Sequence, residues 1–390
     1  MTPAEPGNAM LHISAWQQFI RNKRGDWEQL CREQRLPPDQ WADWFQSIIA
    51  GHGIDPGTIQ ACAVFDADQK LTHVLPLRRQ SRTLLGVSFS ELEPLGNVFC
   101  MRHGMASRPG DSSPLLMLRQ LSASADWSTL RIDGIVRGST ADVLWTEACE
   151  SLGLRRRWFG GAEIPVLRIE GGWPEFLASK SSNFRYNIRR KRRRFEQAGK
   201  LQVSFFTRAD ELDRAFAAMA GIETVSWKVG AGSSLGDRPW EIRFYRELAE
   251  RMASHGALLI TVLSLDGRPI AYDLGLVAND SGYCLKTSFS AEHHELSPGA
   301  VLRALLMEKL VGQGVRYYDF LGKQDRWKLE WTDATERVES LIIYAPNARS
   351  WFISALHQLG ELNRRLQASI RLSTRGSDGA LLPGHDAAIG

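Results

Sequence analysis

The stretch Gly282-Tyr283-Cys284-Leu285-Lys286-Thr287-Ser288-Phe289, with Ser297-Pro298-Gly299 and Val315-Arg316-Tyr317-Tyr318-Asp319-Phe320 behind it, decides how this chain folds. The first segment is aromatic and alternating, which specifies a strand. Ser297 stands at an N-cap position with Pro298 at the first helical position, so a helix opens there. Val301, Leu302, Leu305, Leu306 and Leu310 give that helix one apolar face, and Gly312 and Gly314 end it. The third segment returns as a strand. A helix that starts at a small-residue turn offers unpaired N–H groups and about half a positive charge, a setting that suits a pyrophosphate.

Around this unit the chain has the composition of a globular protein. Its 390 residues are 43% hydrophobic, enough for one large core or two smaller ones. The formal charge of +4 gives no global case for nucleic-acid binding, which therefore ranks as an unlikely partner class. Five cysteines, at 31, 62, 100, 149 and 284, form no Cys-x-x-Cys pair and imply reduced, mostly buried thiols. No apolar signal region opens the sequence and no eighteen apolar residues run together, which sets the expectation of a cytoplasmic protein.

Moving upstream, helices are expected at Ala15–Arg35 and Asp39–Ala50, and strands at Ile59–Phe65, Leu71–Arg78, Leu115–Leu121, Thr129–Ile135 and Ile164–Ile169. Ala141–Leu152 reads as a helix, and the polar stretch Arg102–Ser113 reads as a long loop. One long helix is expected over Trp173–Gly199. Seven of its ten positions from Arg185 to Arg194 are basic, while Leu177, Phe184, Ile188 and Phe195 form an apolar stripe. These arginines form a solvated face, or meet phosphate of a nucleotide-linked substrate, or meet anionic lipid. Beyond it come a strand at Leu201–Phe206, helices at Ala209–Glu223 and Trp240–His255, and a meander of Leu258–Leu265, Ile270–Val277 and Tyr283–Phe289 turning at Asp266-Gly267. Val338–Tyr344 is a further strand, Ser350–Leu366 a helix, and Leu372–Gly390 a disordered tail. The fold class is α/β (α+β), and the sequence itself shows no internal repeat.

Several short motifs lie along this frame. Ser226-Trp227-Lys228, Gly267-Arg268-Pro269-Ile270-Ala271, Ser297-Pro298-Gly299, Tyr318-Asp319-Phe320-Leu321-Gly322, Lys328 and Trp331 follow the order and spacing of the CelD-type acetyltransferases linked to cellulose biosynthesis. The helix carrying Lys180, Arg185, Arg189 and Arg190 extends the likeness. It covers roughly residues 140–346, and those proteins belong to the GNAT superfamily and resemble the Fem-type transferases. The resemblance implies two tandem GNAT-like subdomains, the first degenerate. The expected division is an N-terminal helical extension (1–38), a degenerate subdomain (39–172), a catalytic subdomain (173–346), a C-terminal helix (347–370) and a disordered tail (371–390).

The resemblance also implies acetyl-CoA or another acyl-CoA as co-substrate, with its pyrophosphate at Ser297, Pro298, Gly299 and Ala300; Arg303, one turn into the helix, is read either as an exposed helix arginine or as a cofactor-binding candidate adding a charge-assisted contact. Asp319, at the carboxyl end of a parallel-type strand, is the acid/base candidate. Lys328 joins it as a catalytic candidate, and Trp331, Trp227, Lys228, Arg189 and Arg190 are candidates for substrate binding. Residues 229–236 read as a substrate lid, and Glu223 is a second carboxylate. The adjacent His293 and His294 lack further ligands at metal spacing, so no metal is expected. Hydrolase, ATPase and dehydrogenase fingerprints are absent. The favoured expectation is an acyl-CoA-dependent N- or O-acyltransferase acting on a sugar, polysaccharide precursor or related envelope metabolite. Behind it stand a Fem-like aminoacyl-tRNA-dependent transferase and a non-catalytic, membrane-associated partner of a polysaccharide synthase. Peripheral association with an anionic inner membrane fits either end of that range.

Overall fold

The chain runs through one succession of strands and helices twice. The first pass comprises β1 (Met10–Ala15), α1 (Trp16–Glu33), α2 (Ala42–His52), β2 (Ile59–Phe65), β3 (Leu71–Leu84), β4 (Val87–Pro94), α3 (Ser113–Ala123), β5 (Thr129–Val136), α4 (Thr140–Ser151) and β6 (Arg156–Arg168). Helices α5 (Trp173–Ser179) and α6 (Ser182–Ala198) lead into the second. That pass comprises β7 (Leu201–Phe206), α7 (Leu212–Thr224), α8 (Pro239–Ser254), β8 (Leu258–Leu265), β9 (Arg268–Ala278), β10 (Ser281–Phe289), α9 (Pro298–Gly312), β11 (Tyr317–Asp319), α10 (Arg326–Leu329) and β12 (Thr335–Tyr344). The computed structural model describes residues 9–96, 102, 112–124, 126–226, 228–229, 235 and 238–360.

Among the described residues the strands form a 12-stranded sheet in the order β1-β2-β3-β4-β5-β12-β6-β11-β10-β9-β8-β7. Exchanging each strand of the first pass for its counterpart in the second reproduces this order read backwards. The sheet is therefore two copies of one unit related by an internal two-fold. Each copy has one parallel pair, β4 with β5 and β10 with β11, bridged by α3 and α9 respectively. The last strand of each copy crosses over. Strand β6 pairs with β11, β12 pairs with β5, and β6 and β12 pair with each other from Thr335↔Pro165 to Ile343↔Arg156.

Burial follows the pattern of side chains. Helices α1, α2, α7 and α8 share one core, in which Trp27, Trp44, Phe244 and Tyr245 are fully buried. A separate core under α9 takes Leu306, Met307 and Leu310 against Tyr318 and Phe320. Under α3 and α4 lie Met117, Leu118, Trp127 and Trp145. At the contact between the copies, α2 crosses α8 at Gly51. A Cβ added there would lie 2.6 Å from Phe244 Cβ and 2.7 Å from its Cα.

The structure departs from the sequence expectations at definite places. Leu115–Leu121 is not a strand but part of α3: Pro114 sits in its first turn, and Pro114, Met117, Leu118 and Leu121 bury one helical face. The long helix at 173–199 is two helices, because the Ser181 hydroxyl accepts the Phe184 N–H at 3.1 Å and starts a new N-terminus. The strand expected over 315–320 shortens to β11, and Ile164–Ile169 is the end of the longer β6. Asp266 and Gly267 turn with φ of 50° and 83°, the left-handed pair that a tight hairpin needs. Strand β1 pairs with β2 from Met10↔Phe65 to Ala15↔Gln60, so residues 10–38 supply the first strand and helix of the first copy. Residues 348–360 are helical, and the expected tail at 371–390 lies outside the described residues, as does most of the loop 102–113.

Replacing Gly51 by alanine is expected to destabilise the chain by about 1–3 kcal/mol, because the added methyl meets backbone and Cβ that cannot rotate away. Urea unfolding of the variant against wild type measures this, and an unchanged midpoint would refute it.

Candidate functional site

Strands β10 and β11 pair over only three rungs, Ser281↔Tyr317, Gly282↔Tyr318 and Tyr283↔Asp319. Beyond Asp319 the chain leaves, whereas β10 continues to Phe289 with β9 on its other side. A register shift between Cys284 and Lys286 marks the point of divergence. The sheet thus opens into a splay with one free edge of β10 as its wall. The carbonyls of Leu285 and Thr287 accept from the Tyr245 hydroxyl at 3.5 Å and from Lys228 Nζ at 2.7 Å.

At the far end of β10 stands the first turn of α9. Ser297 does not cap it through its side chain; it adopts φ 54°, and its carbonyl accepts the N–H groups of Ala300 and Val301. Gly299 lies close over Phe289, whose Cδ1 would be 3.3 Å from an added Cβ. Pro298 has no N–H, and those of Ser297 and Ala300 are taken by the carbonyls of His294 and Ser297, so among the described residues this turn offers an anion the Gly299 N–H and the positive end of the helix dipole. Arg303 does not take part. It is buried at 3% exposure and turns into the core, 2.6 Å from Asp273 and in contact with the Tyr318 hydroxyl and Cys284 Sγ. Paired charge at that depth holds β9, β11 and α9 together and leaves no guanidinium for a phosphate.

A polar group lies on the opposite face, where α7 and α8 pack. Glu223 accepts from the Tyr272 hydroxyl at 2.5 Å and from the Leu235 N–H at 3.1 Å, and Lys228 lies 4.0 Å from it. Lys286 meets Glu241 at 2.5 Å. Burial pushes the Lys228 ammonium below the ordinary lysine range, opposed by Glu223. Trp227 and most of residues 229–236 lie outside the described residues.

Asp319 closes the last rung of the β10–β11 pair and is fully buried. Its Oδ1 accepts the Leu321 N–H at 2.8 Å and its Oδ2 accepts from Arg102 at 2.6 Å. Desolvation raises its pKa, with Arg102 opposing. Arg102 also reaches Glu336 at 2.9 Å, and its backbone N–H donates to Asp39 Oδ2 at 2.8 Å. Neither Arg102 nor Asp39 stands out in the sequence. Lys328 does not face this group: its ammonium donates to the carbonyls of Leu321 and Lys323 at 2.6 and 2.8 Å and holds the turn after β11. Trp331 is core, 3% exposed, with Phe176 parallel to its indole and Phe184 meeting it edge-to-face, so it offers no open face to a ligand. On α6, which packs against α9 and the 291–296 turn, Arg189, Arg190, Arg193 and Arg194 are exposed and make no ion pair among the described residues.

Residues 182–329 match the acetyltransferase (GNAT) domain. The chain is similar in structure to FemX, with TM-score 0.59 and 12% identity over 89% of this chain and 99% of that one. It is also similar to a conserved protein of unknown function from Bacteroides thetaiotaomicron, with TM-score 0.55 and 11% identity over 86% and 100% of the two chains. A third likeness is to the C-terminal domain of a putative lysylphosphatidylglycerol synthetase from Agrobacterium fabrum, with TM-score 0.50 and 11% identity over 88% and 96%. At such identities the likeness is one of fold. No curated protein matches the chain in sequence. The GNAT domain supports an acyltransferase and points to acyl-CoA as donor, and the GNAT-like arrangement occurs twice in the sheet. Among the described residues no His, Cys, Asp and Glu side chains gather as a metal site, and no helix is long and apolar enough to cross a membrane.

Removing Arg303 leaves Asp273 buried without its partner, so Arg303→Ala is expected to cost about 3–5 kcal/mol. Converting both to apolar residues, Arg303→Met with Asp273→Leu, should recover most of that loss. Chemical denaturation of the three proteins decides it: equal stability of the single variant and wild type would show that the pair is not structural.

Proposed function

We propose that this chain is an acyl-CoA-dependent acyltransferase, with acetyl as the acyl group, acting on a sugar, polysaccharide precursor or related cell-envelope metabolite. The observation that carries the reading is the splay of β10 from β11 with the first turn of α9 opposite its mouth. Those residues fit a long phosphorylated thioester: the edge of β10 from Cys284 to Phe289 would hold its extended arm, and Ser297, Pro298, Gly299 and Ala300 its pyrophosphate. When bound, the donor supplies a carbonyl already activated for attack.

The rest of the work falls to this chain's own groups. Tyr283, Asp319 and Arg102 form the floor of the splay, where the acceptor must be oriented. Lys228, held on the Thr287 carbonyl beside Glu223, places a cation next to the free edge of β10, where an oxyanion is stabilised. Lys328 acts indirectly, by fixing the turn that follows Asp319. The four exposed arginines on α6, without ion pairs among the described residues, favour an acceptor that carries phosphate, nucleotide-linked or lipid-linked, at the cytoplasmic face of the membrane.

A thermal-shift series of acyl-CoAs tests the donor. Acetyl-CoA at a hundred times its Kd should stabilise the fold by about 2.7 kcal/mol. Gly299→Val, whose added atoms press on Phe289 and displace the first turn of α9, should remove that shift measured against the variant's own apo melting temperature. If no acyl-CoA stabilises the wild type while anionic vesicles bind it, a non-catalytic membrane partner replaces this reading.

The arginines have a separate expectation. Converting Arg189, Arg190, Arg193 and Arg194 together to glutamine keeps helix propensity nearly constant and removes positive charge from one segment. The melting temperature should hold, and the salt dependence of substrate or vesicle binding seen in wild type should disappear. An unchanged salt dependence returns these residues to a solvated face.

A further inference from the structure

The last helix of the described chain, α11 (residues 348–360), has two apolar faces. Asn347 starts it: its Oδ1 accepts the Ser350 N–H at 2.9 Å and the Ser350 hydroxyl at 2.7 Å. One face packs on the sheet. Ser350, Ile353 and Ser354 are buried, Ile353 lies among Phe89, Ile342 and Tyr344, and His357 Nδ1 meets the Tyr344 hydroxyl at 2.9 Å. The other face carries Trp351, Phe352, Ala355 and Leu359, which fall within about 100° of one another around the helix axis. All four are exposed, the three larger ones by more than half. Beside this helix stands the β3–β4 hairpin. Its strands pair out to Leu84↔Val87 and leave the two-residue turn Leu85-Gly86, with φ of 48° and 80°. Such a turn takes Asn or Asp at its first position, where a leucine is strained. Leu85 is nonetheless there, 74% exposed, and its neighbours Leu84 and Val87 pack into the same cluster as Ile353 and Leu356. A strained turn holds one apolar side chain out to water beside a helix face that holds out three more, and two elements thus build one exposed apolar patch.

We propose that α11 and the Leu85 tip form a docking surface for an anionic lipid bilayer, with Trp351, Phe352, Leu359 and Leu85 entering the boundary between headgroups and acyl chains and arginines meeting the lipid phosphates. Charge selects this occupant. Residues 345–360 contain no Asp or Glu, Arg349 is exposed, and Arg155 Cζ lies 3.8 Å from the centroid of the Trp351 ring. The sequence that follows, 361–376, adds Arg364, Arg365, Arg371 and Arg375 against the one acid Glu361. A second copy docked about a two-fold would set these cations against their own kind, whereas lipid phosphates neutralise them. Shape agrees. A leucine at the tip of a two-residue turn projects, and so enters a fluid layer that needs no preformed pocket, while Trp and Phe flanked by arginine compose a helix that lies in the interface. The patch shares no core with α6, which packs through Phe195 against Val301 and Leu302 of α9. None of its residues lines the splay, so the inference does not rest on the acyltransferase reading.

The test is co-sedimentation of the full chain with vesicles of phosphatidylglycerol mixed with phosphatidylcholine, and with vesicles of phosphatidylcholine alone. Wild type should bind the mixed vesicles, bind the zwitterionic ones about tenfold more weakly, and come off as salt rises. Trp351→Gln with Phe352→Gln removes two exposed rings without lowering helix propensity, so the melting temperature should hold while binding falls about tenfold or more. Leu85→Asn is the sharper variant. It gives the turn a residue that accepts φ of 48°, so it should melt at or above wild type, yet its vesicle binding should weaken by about threefold or more. A merely structural leucine would not separate the two readouts in this way. The proposal is overturned if wild type binds neither vesicle, if it binds both equally, or if either folded variant binds as tightly as wild type. It is also overturned if wild type is a dimer in solution that Trp351→Gln with Phe352→Gln makes monomeric, which assigns the patch to a second copy. Should the double variant not fold, Leu85→Asn decides.

Discussion

Everything in this molecule hangs on the ladder between β6 and β12. Each is the last strand of its copy, and each leaves home to pair with the other copy's penultimate strand. Backbone N–H and C=O groups in a sheet interior have to be paired, so neither copy can satisfy its own central strands without its sibling. The two-fold relation is then a hydrogen-bonding requirement. It also explains why a residue at position 102 or 39 can sit against one at 319: the swap brings the floor of one copy's splay under the helices of the other.

Parts of this were legible in the sequence. The strand, helix and strand around α9 were readable because Pro298, the leucine stripe and Gly314 each state a local preference, and local preferences agree there with the tertiary outcome. The same method reads Leu115–Leu121 as a strand because a short apolar run has no period of its own; Pro114 in the first turn was the available signal for a helix. The break at Ser181 was also visible in principle, as a serine able to cap. The internal repeat was not. It survives in strand order and in the paired parallel strands, while the residues that would advertise it have diverged, since packing constrains volume and polarity more than identity.

The site divides in the same way. Motif reading names the turn at Ser297 to Ala300, Lys228 and Asp319, and the structure sets these around one splay. It takes Arg303, Trp331 and Lys328 into the interior instead, where they hold α9, pack against Phe176 and Phe184, and tie down a turn. A charged or aromatic residue inside a motif is ambiguous in sequence because a buried ion pair and a ligand contact use the same side chains. Asp39 and Arg102 have the opposite difficulty. Nothing in their neighbours marks them, and only the approach of distant segments gives them a role.

The exchanged strands also set the order in which the chain can be completed. Residues Leu130 and Ile132 of β5 face a partner, β12, whose residues emerge from synthesis some two hundred positions later. Until Leu341 and Ile343 arrive, the first copy has an open, apolar strand edge, of the kind that pairs with other chains when it can. Contacts of such sequence separation slow folding, because the loop must close before any hydrogen bond rewards it. A gene encoding this protein is thus exposed to aggregation chiefly during the interval between its two halves, and the nascent chain's survival through that interval is a constraint on its sequence quite separate from catalysis.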